Sequence, residues 1–561
     1  MRPKERRDSG QKDLFLARLD QIVDIGHPLA KLAQAIDWGF LEQNFGAVYA
    51  DVPGRPPLPT RLMAGLAILK HTHGLSDEAL CERWVENPYF QLFCGEEFFQ
   101  HKPPFDRSSL TRWRQRMGEE KLAALVQESL SVATKTGAAK PSDFSRIIID
   151  TTVQEKAVAF PTDAKLMHRA RERLVRLAKK YGVALRQSYE RIGKHALIAH
   201  QRYAHAKQFK RANKALRKLC TFLGRVERDI ARRIKGDLSL RAIFARPLYL
   251  AERVREQRQK QRGKKVYSLH APEVECIGKG KAHRPYEFGV KVSVATTLHP
   301  SKGGQFVAHV KTLPGNPYNG HTLAVIIPEM ETQIGVQVTR IVADRGYRGH
   351  NAPETHKFRV YISGQRRRVS EAIKRELRRR SAVEPVIGHL KTDHRMGRNF
   401  LAHTVGDAIN AVLAAAGYNF RPPLAWLAIL CAFLRAELAS ATQSQDNPRH
   451  AVRPFFTDDD DKFGDFSCQR RFASLHRSMT VHSHSRRLPH HRHQQIAVAQ
   501  KPLRAALAIR HRHGGDAAVA LVEEARLESI ELQIDELARD LGRGVETQRV
   551  GADEELLGLV Q

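Results

Sequence analysis

Apolar positions recur at helical spacing through the first 140 residues. In PTRLMAGLAILKHTHG, Leu62, Leu66 and Leu69 share one face and Gly74 closes the run, which predicts a helix. Ser76 then stands as the N-cap of a helix through DEALCERWVE. After Pro103-Pro104, the stretch DRSSLTRWRQRMGEE sets Leu110, Trp113 and Met117 on one face. Thr111, Arg112, Gln115 and Arg116 fall on the other.

The period changes at Ser145. SRIIIDTTV is short, apolar and rich in branched residues, which predicts a buried strand that ends at Asp150. Helical spacing returns between about 164 and 283. AKLMHRARERLVRLAKKYG carries Leu166, Ala170, Leu174, Leu177 and Tyr181 on one stripe, and Leu216, Leu219, Leu223, Val226 and Ile230 continue the pattern further on. This predicts a helical hairpin inserted between two halves of a sheet domain. Strands resume with YEFGVKVSVATT and, after a turn at HPSKGG, QFVAHVKTL. GNPYNG reads as a loop, HTLAVIIPEMETQIG as a helix, QVTRIVADRGYRG as a buried strand ending at Asp344, and RVYISG as another strand. From Ser381 the chain is helical again, and Pro385 sets a start or a kink near Glu384.

Without the insertion the order is three strands, helix, two strands, helix. That order predicts an α/β fold with a ribonuclease-H-like mixed sheet covered by helices. The corresponding boundaries are a helical N-terminal domain at 1–140, a core at 143–163 plus 284–438, a basic helical insertion at 164–283, and a tail at 439–561.

Charge sharpens this picture. The 561 residues carry a formal net charge of +33 and a sequence pI near 10.2. A chain so basic meets a polyanion, and double-stranded DNA is the expected partner; a ribosomal or membrane-surface protein is the alternative. Between Arg191 and Val226 there are ten lysines and arginines and no acid, so the insertion is expected to add sequence-independent DNA affinity that falls with salt. The face bearing Arg112 and Arg116 suits a DNA major groove, against the plainer reading of a solvated basic face. No run of about eighteen apolar residues suggests a membrane span. The N-terminus MRPKERRDSGQKD has no apolar stretch of the secretory kind. The six cysteines are scattered with no C-x-x-C pair, as in a reducing cytoplasm. The expected location is therefore cytoplasmic.

Three acids stand out by position. Asp150 ends the first strand, Asp344 ends the fourth, and Glu384 begins the last helix. The carboxyl ends of neighbouring parallel strands share one edge of a sheet, so Asp150 and Asp344 are expected to converge, with Glu384 brought over them. Three close carboxylates repel unless cations neutralise them. Oxygen donors suit magnesium or manganese. Two such ions about 3.5–4 Å apart activate an attacking oxygen and stabilise the leaving oxygen of a phosphodiester. Arg380 and Lys391 flank Glu384 as candidate phosphate contacts, and Arg345, Tyr347 and Arg348 beside Asp344 are weaker candidates for DNA contact. Singly, each acid also reads as a turn cap or a charge partner.

These residues resemble a known family. The span from about Pro56 to Leu438 is similar to bacterial insertion-sequence transposases of the DDE superfamily, in particular the insertion-sequence-five family. IIIDTTV resembles the first-aspartate motif and VADRGYRG the second. RRRSAVEPVIGHLKTDHRMGRNFL resembles the third, whose pattern is Y-x2-R-x3-E-x6-K, with Arg380, Glu384 and Lys391 in its last three places and Leu377 where the family has tyrosine. The resemblance implies metal-dependent hydrolysis and strand transfer at the terminal inverted repeats of an element, with Asp150, Asp344 and Glu384 as the catalytic metal ligands. It also implies a homodimer or higher assembly, because two DNA ends must be joined. An inactive relic that only binds DNA is the alternative, and a structure-specific nuclease of the same fold a third reading.

After about Ala439 the character changes. ATQSQDNPRH is a polar linker, FFTDDDDKFGDF is acidic, and eight histidines fall between His476 and His513 without a cysteine frame. AVALVEEARLESIELQIDELARDLG reads as an acidic helix for a partner chain. Translation past the element's own stop is the other reading of this tail.

Overall fold

In this computed structural model the central strand, β1 (Arg146–Glu155), is buried on both faces, with Ile147, Ile148 and Ile149 all fully covered. A strand covered on both sides shows a continuous apolar run rather than alternation. The structure describes residues 17–49 and 57–445, apart from 259, 260, 262, 264, 279–282, 284 and 368. Readings that fall after residue 445, including the histidine-rich and acidic tail, lie outside the described residues.

The first part of the chain is helical: α1 (Leu19–Ile22), α2 (Pro28–Ala35), α3 (Trp38–Gly46), α4 (Thr60–Thr72), α5 (Asp77–Glu86), α6 (Pro88–Phe93) and α7 (Arg107–Lys135). Ser76 caps α5 as expected, its side chain accepting from Ala79 N–H. Leu110, Trp113 and Met117 are buried along the start of α7, while Arg112 and Arg116 are exposed. Gly118 (φ 69°) breaks the long helix just beyond this segment.

Four helices follow β1: α8 (Asp163–Lys180), α9 (Glu190–His205), α10 (Phe209–Arg233) and α11 (Leu238–Glu256). They enclose a core of their own, built on Leu174, Leu219, Leu223, Val226, Ile230 and Phe244. The expected hairpin is thus four helices. α9 left little trace in the hydrophobic pattern because it buries only Gly193 and Ala196.

The sheet then resumes with β2 (Glu275–Gly278), β3 (Tyr286–Thr297) and β4 (Val307–Leu313), followed by α12 (Leu323–Ile334), β5 (Arg340–Ala343) and β6 (Val360–Ile362). β2 lies in the stretch read as purely helical. Four residues are too few to register as a period, and the strand exists because the start of β3 pairs with it. β3 lies antiparallel to β1 on one side and to β2 and β4 on the other. β5 and β6 run parallel on the far side of β1. The result is a six-stranded mixed sheet. α12 covers one face, with Ile326 and Ile327 against Ile147, Ile149 and Ile341.

The chain ends its described course with α13 (Glu371–Arg378), α14 (Val383–Thr392) and α15 (His403–Gln445). Val383 of α14 covers Ile148 and Val342 on the sheet face opposite α12. The apolar run of α15 packs Val412, Leu413 and Phe420 into one core with Leu66, Trp84 and Leu125 of the N-terminal helices and Val292 and Val294 of β3. No described helix is long and apolar enough to cross a membrane.

Candidate functional site

β1 does not end at Asp150. Thr151, Thr152 and Val153 are β-branched, favour the pleat, and carry the strand on to Glu155 in antiparallel pairing with β3. What ends at Asp150 is the other neighbour. β1 pairs with β5 only from Arg146↔Arg340 to Ile149↔Ala343. Asp150 and Asp344 are therefore the next residues on two adjacent parallel strands, at the point where the strands part. A sheet opens a crevice at such a place.

Asp150 is mostly covered, with 17% of its side chain exposed. Its Oδ1 accepts from Thr151 N–H at 2.7 Å. Burial pushes the carboxyl above its usual range, and the charges of Asp344 and Glu384 push the same way, against the Thr151 N–H and Arg380. Both other acids thus act on Asp150 electrostatically. Asp344 caps a single 3-10 turn, its Oδ1 accepting from Gly346 N–H at 2.9 Å. Gly346 has little room for a side chain, since a Cβ there would stand 3.0 Å from that same oxygen.

Glu384 enters from the opposite face of the sheet. It follows α13 and a 3-10 turn at Arg379–Ala382, in the first turn of α14. Pro385, the next residue, sits where a helix has no amide to satisfy. α14 is therefore the last helix but one, and Pro385 produces no separation of Arg380 from Glu384. Arg380 joins two of the acids: its Nη1 lies 3.2 Å from Asp150 Oδ2 and its Nη2 3.7 Å from Glu384 Oε1. Glu384 itself is 65% exposed. Among the described residues, no three histidine, cysteine, aspartate or glutamate side chains stand gathered as a ready metal cluster. Asp150 and Asp344 supply hard oxygen donors, and Glu384 is held next to them through a guanidinium.

The other candidates separate. Lys391 is on α14, half-buried, about two turns along the axis from Glu384. Arg345 and Arg348 are exposed beside Asp344. Tyr347 is not a DNA contact, because it is 0% exposed. The 3-10 turn after Asp344 rolls its ring inward, into the core with Leu323 and Ile341. Burial pushes its phenol far up, and the charges of Asp150 and Asp344 add to the shift. Arg112 and Arg116 lie on α7, where Arg112 bonds Ser108 and Arg116 stacks over Tyr49.

One polar chain beside the acids was invisible in the sequence pattern. Lys291 of β3 donates to Asn319 Oδ1 at 3.1 Å, and Asn319 Nδ2 donates to Thr151 Oγ1 at 3.1 Å. Asn319 comes from GNPYNG, read only as a loop. The available signal was the density of turn formers there, which fixes a backbone well enough to aim a side chain.

Residues 17–116 match a family described as Transposase domain (DUF772). Over 209 residues the chain is 52% identical to an uncharacterized protein, ORF8 in the nfe locus of Rhizobium meliloti, covering 37% of this chain and 100% of that protein. The chain belongs to the same family as that protein, and its first part matches a transposase domain. No solved structure matches it. The transposase-domain match spans α1 to the basic start of α7, so it includes Arg112 and Arg116 and stops before the carboxylates.

Proposed function

We propose that this transposase-related protein is a DNA transposase of the DDE type, cutting phosphodiesters at the terminal inverted repeats of an insertion sequence and joining the freed ends to target DNA. The observation that carries the reading is the placement of Asp150 and Asp344 side by side at one break in the sheet, with Glu384 linked to Asp150 through Arg380. Asp150 and Asp344 follow the last paired residues of adjacent parallel strands, and Arg380 ties Asp150 to Glu384. The strand order β4-β3-β1-β5-β6, antiparallel on one side of β1 and parallel on the other, supports a ribonuclease-H-like core for this chemistry.

Asp150, Asp344 and Glu384 are the residues that would hold magnesium or manganese. The donors are all oxygen, and the mutual repulsion felt at Asp150 is what a cation relieves. Held there, two such ions would supply Lewis-acid polarisation for phosphodiester chemistry. The chain's own part is positional. The Asp344 carboxylate is fixed by Gly346 N–H, and that of Asp150 by Thr151 N–H. Arg380, Arg345, Arg348 and Lys391 offer cations to DNA phosphates around the acids. The same reading calls for two or more copies of the chain, one for each DNA end.

The second reading, a DNA-binding relic, rests on Leu377. In place of the family's tyrosine, an apolar side chain packs against the cluster of Ile148, Val342 and Val383 and offers no hydroxyl. A cleavage assay separates the two. The chain and its Glu384→Gln variant are incubated with magnesium and a labelled duplex carrying the element's end sequence, with binding measured in parallel. The transposase reading expects nicking by the unaltered chain, a loss of at least about a hundredfold in the variant, and equal binding by both. Equal nicking by both removes Glu384 from the chemistry. Tight binding without nicking by either favours the relic.

A further inference from the structure

We propose that the hollow between α8 and the start of α9 is a phosphate site that grips one backbone phosphodiester of duplex DNA. This rests on the DNA-processing reading above and gives the basic insertion a defined point of attachment.

The hollow is open and measures about 580 Å³. Its floor includes Arg171, whose side chain is buried, with 2% of the residue exposed. One nitrogen, Nη1, donates to Ser188 O at 2.9 Å. The Nε is buried with no hydrogen-bond partner among the described residues. A buried guanidinium donor left unmet is costly unless a ligand meets it. Gly193 lets α9 pack against this guanidinium, since a Cβ there would stand 3.0 Å from that Nε.

The rim adds independent features. α9 is 16 residues long and begins after Tyr189, which is left-handed (φ 55°) and provides no side-chain cap. The first amides of the helix are therefore open to an anion at its positive end. Arg176, Arg191 and Lys194 line the same hollow and are exposed. The two acids present are already engaged: Glu190 accepts from Lys179 at 2.8 Å, and Glu172 pairs with Arg169 at 2.9 Å. Burial also holds the Arg171 guanidinium below its usual pKa, as expected where the nearest acids do not bond to it.

The shape selects the form of phosphate. A small free anion is held by enclosure, and this hollow is open. A polymer backbone needs a groove that it can enter and leave. The segment from Arg191 to Val226, on α9 and α10, carries ten cations and no acid, a composition suited to a polyanion.

The test is the salt dependence of duplex binding by the full chain. Abolishing one phosphate interaction lowers the slope of log K against log salt by about 0.9. Arg191→Gln combined with Lys194→Gln changes only exposed side chains, so folding is retained; Arg171→Gln is the buried variant, checked for its melting temperature. Both are expected to lower the slope by about 0.9 on any duplex sequence, and the triple variant to lower it no further. Losses that add in the triple variant indicate a diffuse positive surface and overturn the proposal. So does an unchanged slope. Titration of inorganic phosphate at constant ionic strength forms the second arm. No saturable binding is expected. Saturable phosphate binding that the variants abolish, with the DNA slope intact, assigns the hollow to a free anion and overturns the DNA assignment. Nicking and duplex binding by the unaltered chain, with unchanged slopes in the variants, sink this proposal alone. Absence of any duplex binding sinks the transposase reading as well.

Discussion

Asp77 is a heavily engaged carboxylate of the N-terminal helices. It receives Arg114 Nη1 and Nη2 at 3.0 and 2.7 Å and pairs with Lys70, and all three side chains are at most 19% exposed. Burial alone would raise its pKa, but the Arg114 hydrogen bonds and the Lys70 charge hold the carboxyl far below its usual range. Removing it strands two buried cations. Asp77→Asn is expected to cost about 3–5 kcal/mol, measured as a drop in unfolding free energy by denaturant titration. A change under about 1 kcal/mol would mean that the cations find water instead. Tyr347 makes a different case. Its identity within DRGYRG suggested a DNA contact, yet its work is to support the turn that holds Asp344. Tyr347→Ala is expected to destabilise by about 3–5 kcal/mol, and Tyr347→Phe to leave duplex affinity unchanged in a binding assay. A loss of affinity in the phenylalanine variant, with stability intact, would restore the hydroxyl as a contact.

At the scale of elements, the end of α4 meets the loop that follows α14. His394 bonds His71 O at 2.7 Å, Arg395 Nη1 bonds Gly74 O at 3.1 Å, and a Cβ on Gly74 would stand 2.5 Å from Asp393 O. Gly74 is thus required twice, by its positive φ of 64° and by this approach. Burial pushes the imidazoles of His73 and His394 down to about 4, with Arg83 and Arg421 adding to the effect. Such histidines stay neutral in the fold but protonate near 6.5 when unfolded. The unfolded state then binds more protons between these values, so stability falls as pH drops from 6.5 towards 4. Melting temperature measured across that window should decline, and His394→Phe should flatten the decline. A profile level down to pH 4 would contradict it. The elements also show where sequence reading stopped. Helices with a strong stripe, such as α8 and α10, were legible. β2 and α9 were not, because one is only four residues long and the other buries two small residues.

For the whole molecule, the formal charge of +33 stands on a chain whose described residues fall within one compact unit, residues 1–450. The acids of the candidate site all lie in that unit, as does the phosphate hollow. A chain ended near residue 466 is therefore expected to keep duplex binding within about twofold, since phosphate contacts dominate such affinity. Loss of binding on that truncation would assign the tail a part in DNA recognition. The sequence by itself determined the helical start of the chain, the strands around IIID and IVAD, and the strongly basic charge, because periodicity and charge are local quantities that add along the chain. It also marked Asp150, Asp344 and Glu384. Only the tertiary structure decided that β1 runs on past Asp150, that Arg380 joins Asp150 to Glu384, that Tyr347 turns inward, and that Lys291 and Asn319 reach the same place. Those outcomes depend on which strand lies beside which, and on where a neighbour stops. That is a property of pairing and packing between distant segments, which no local pattern carries.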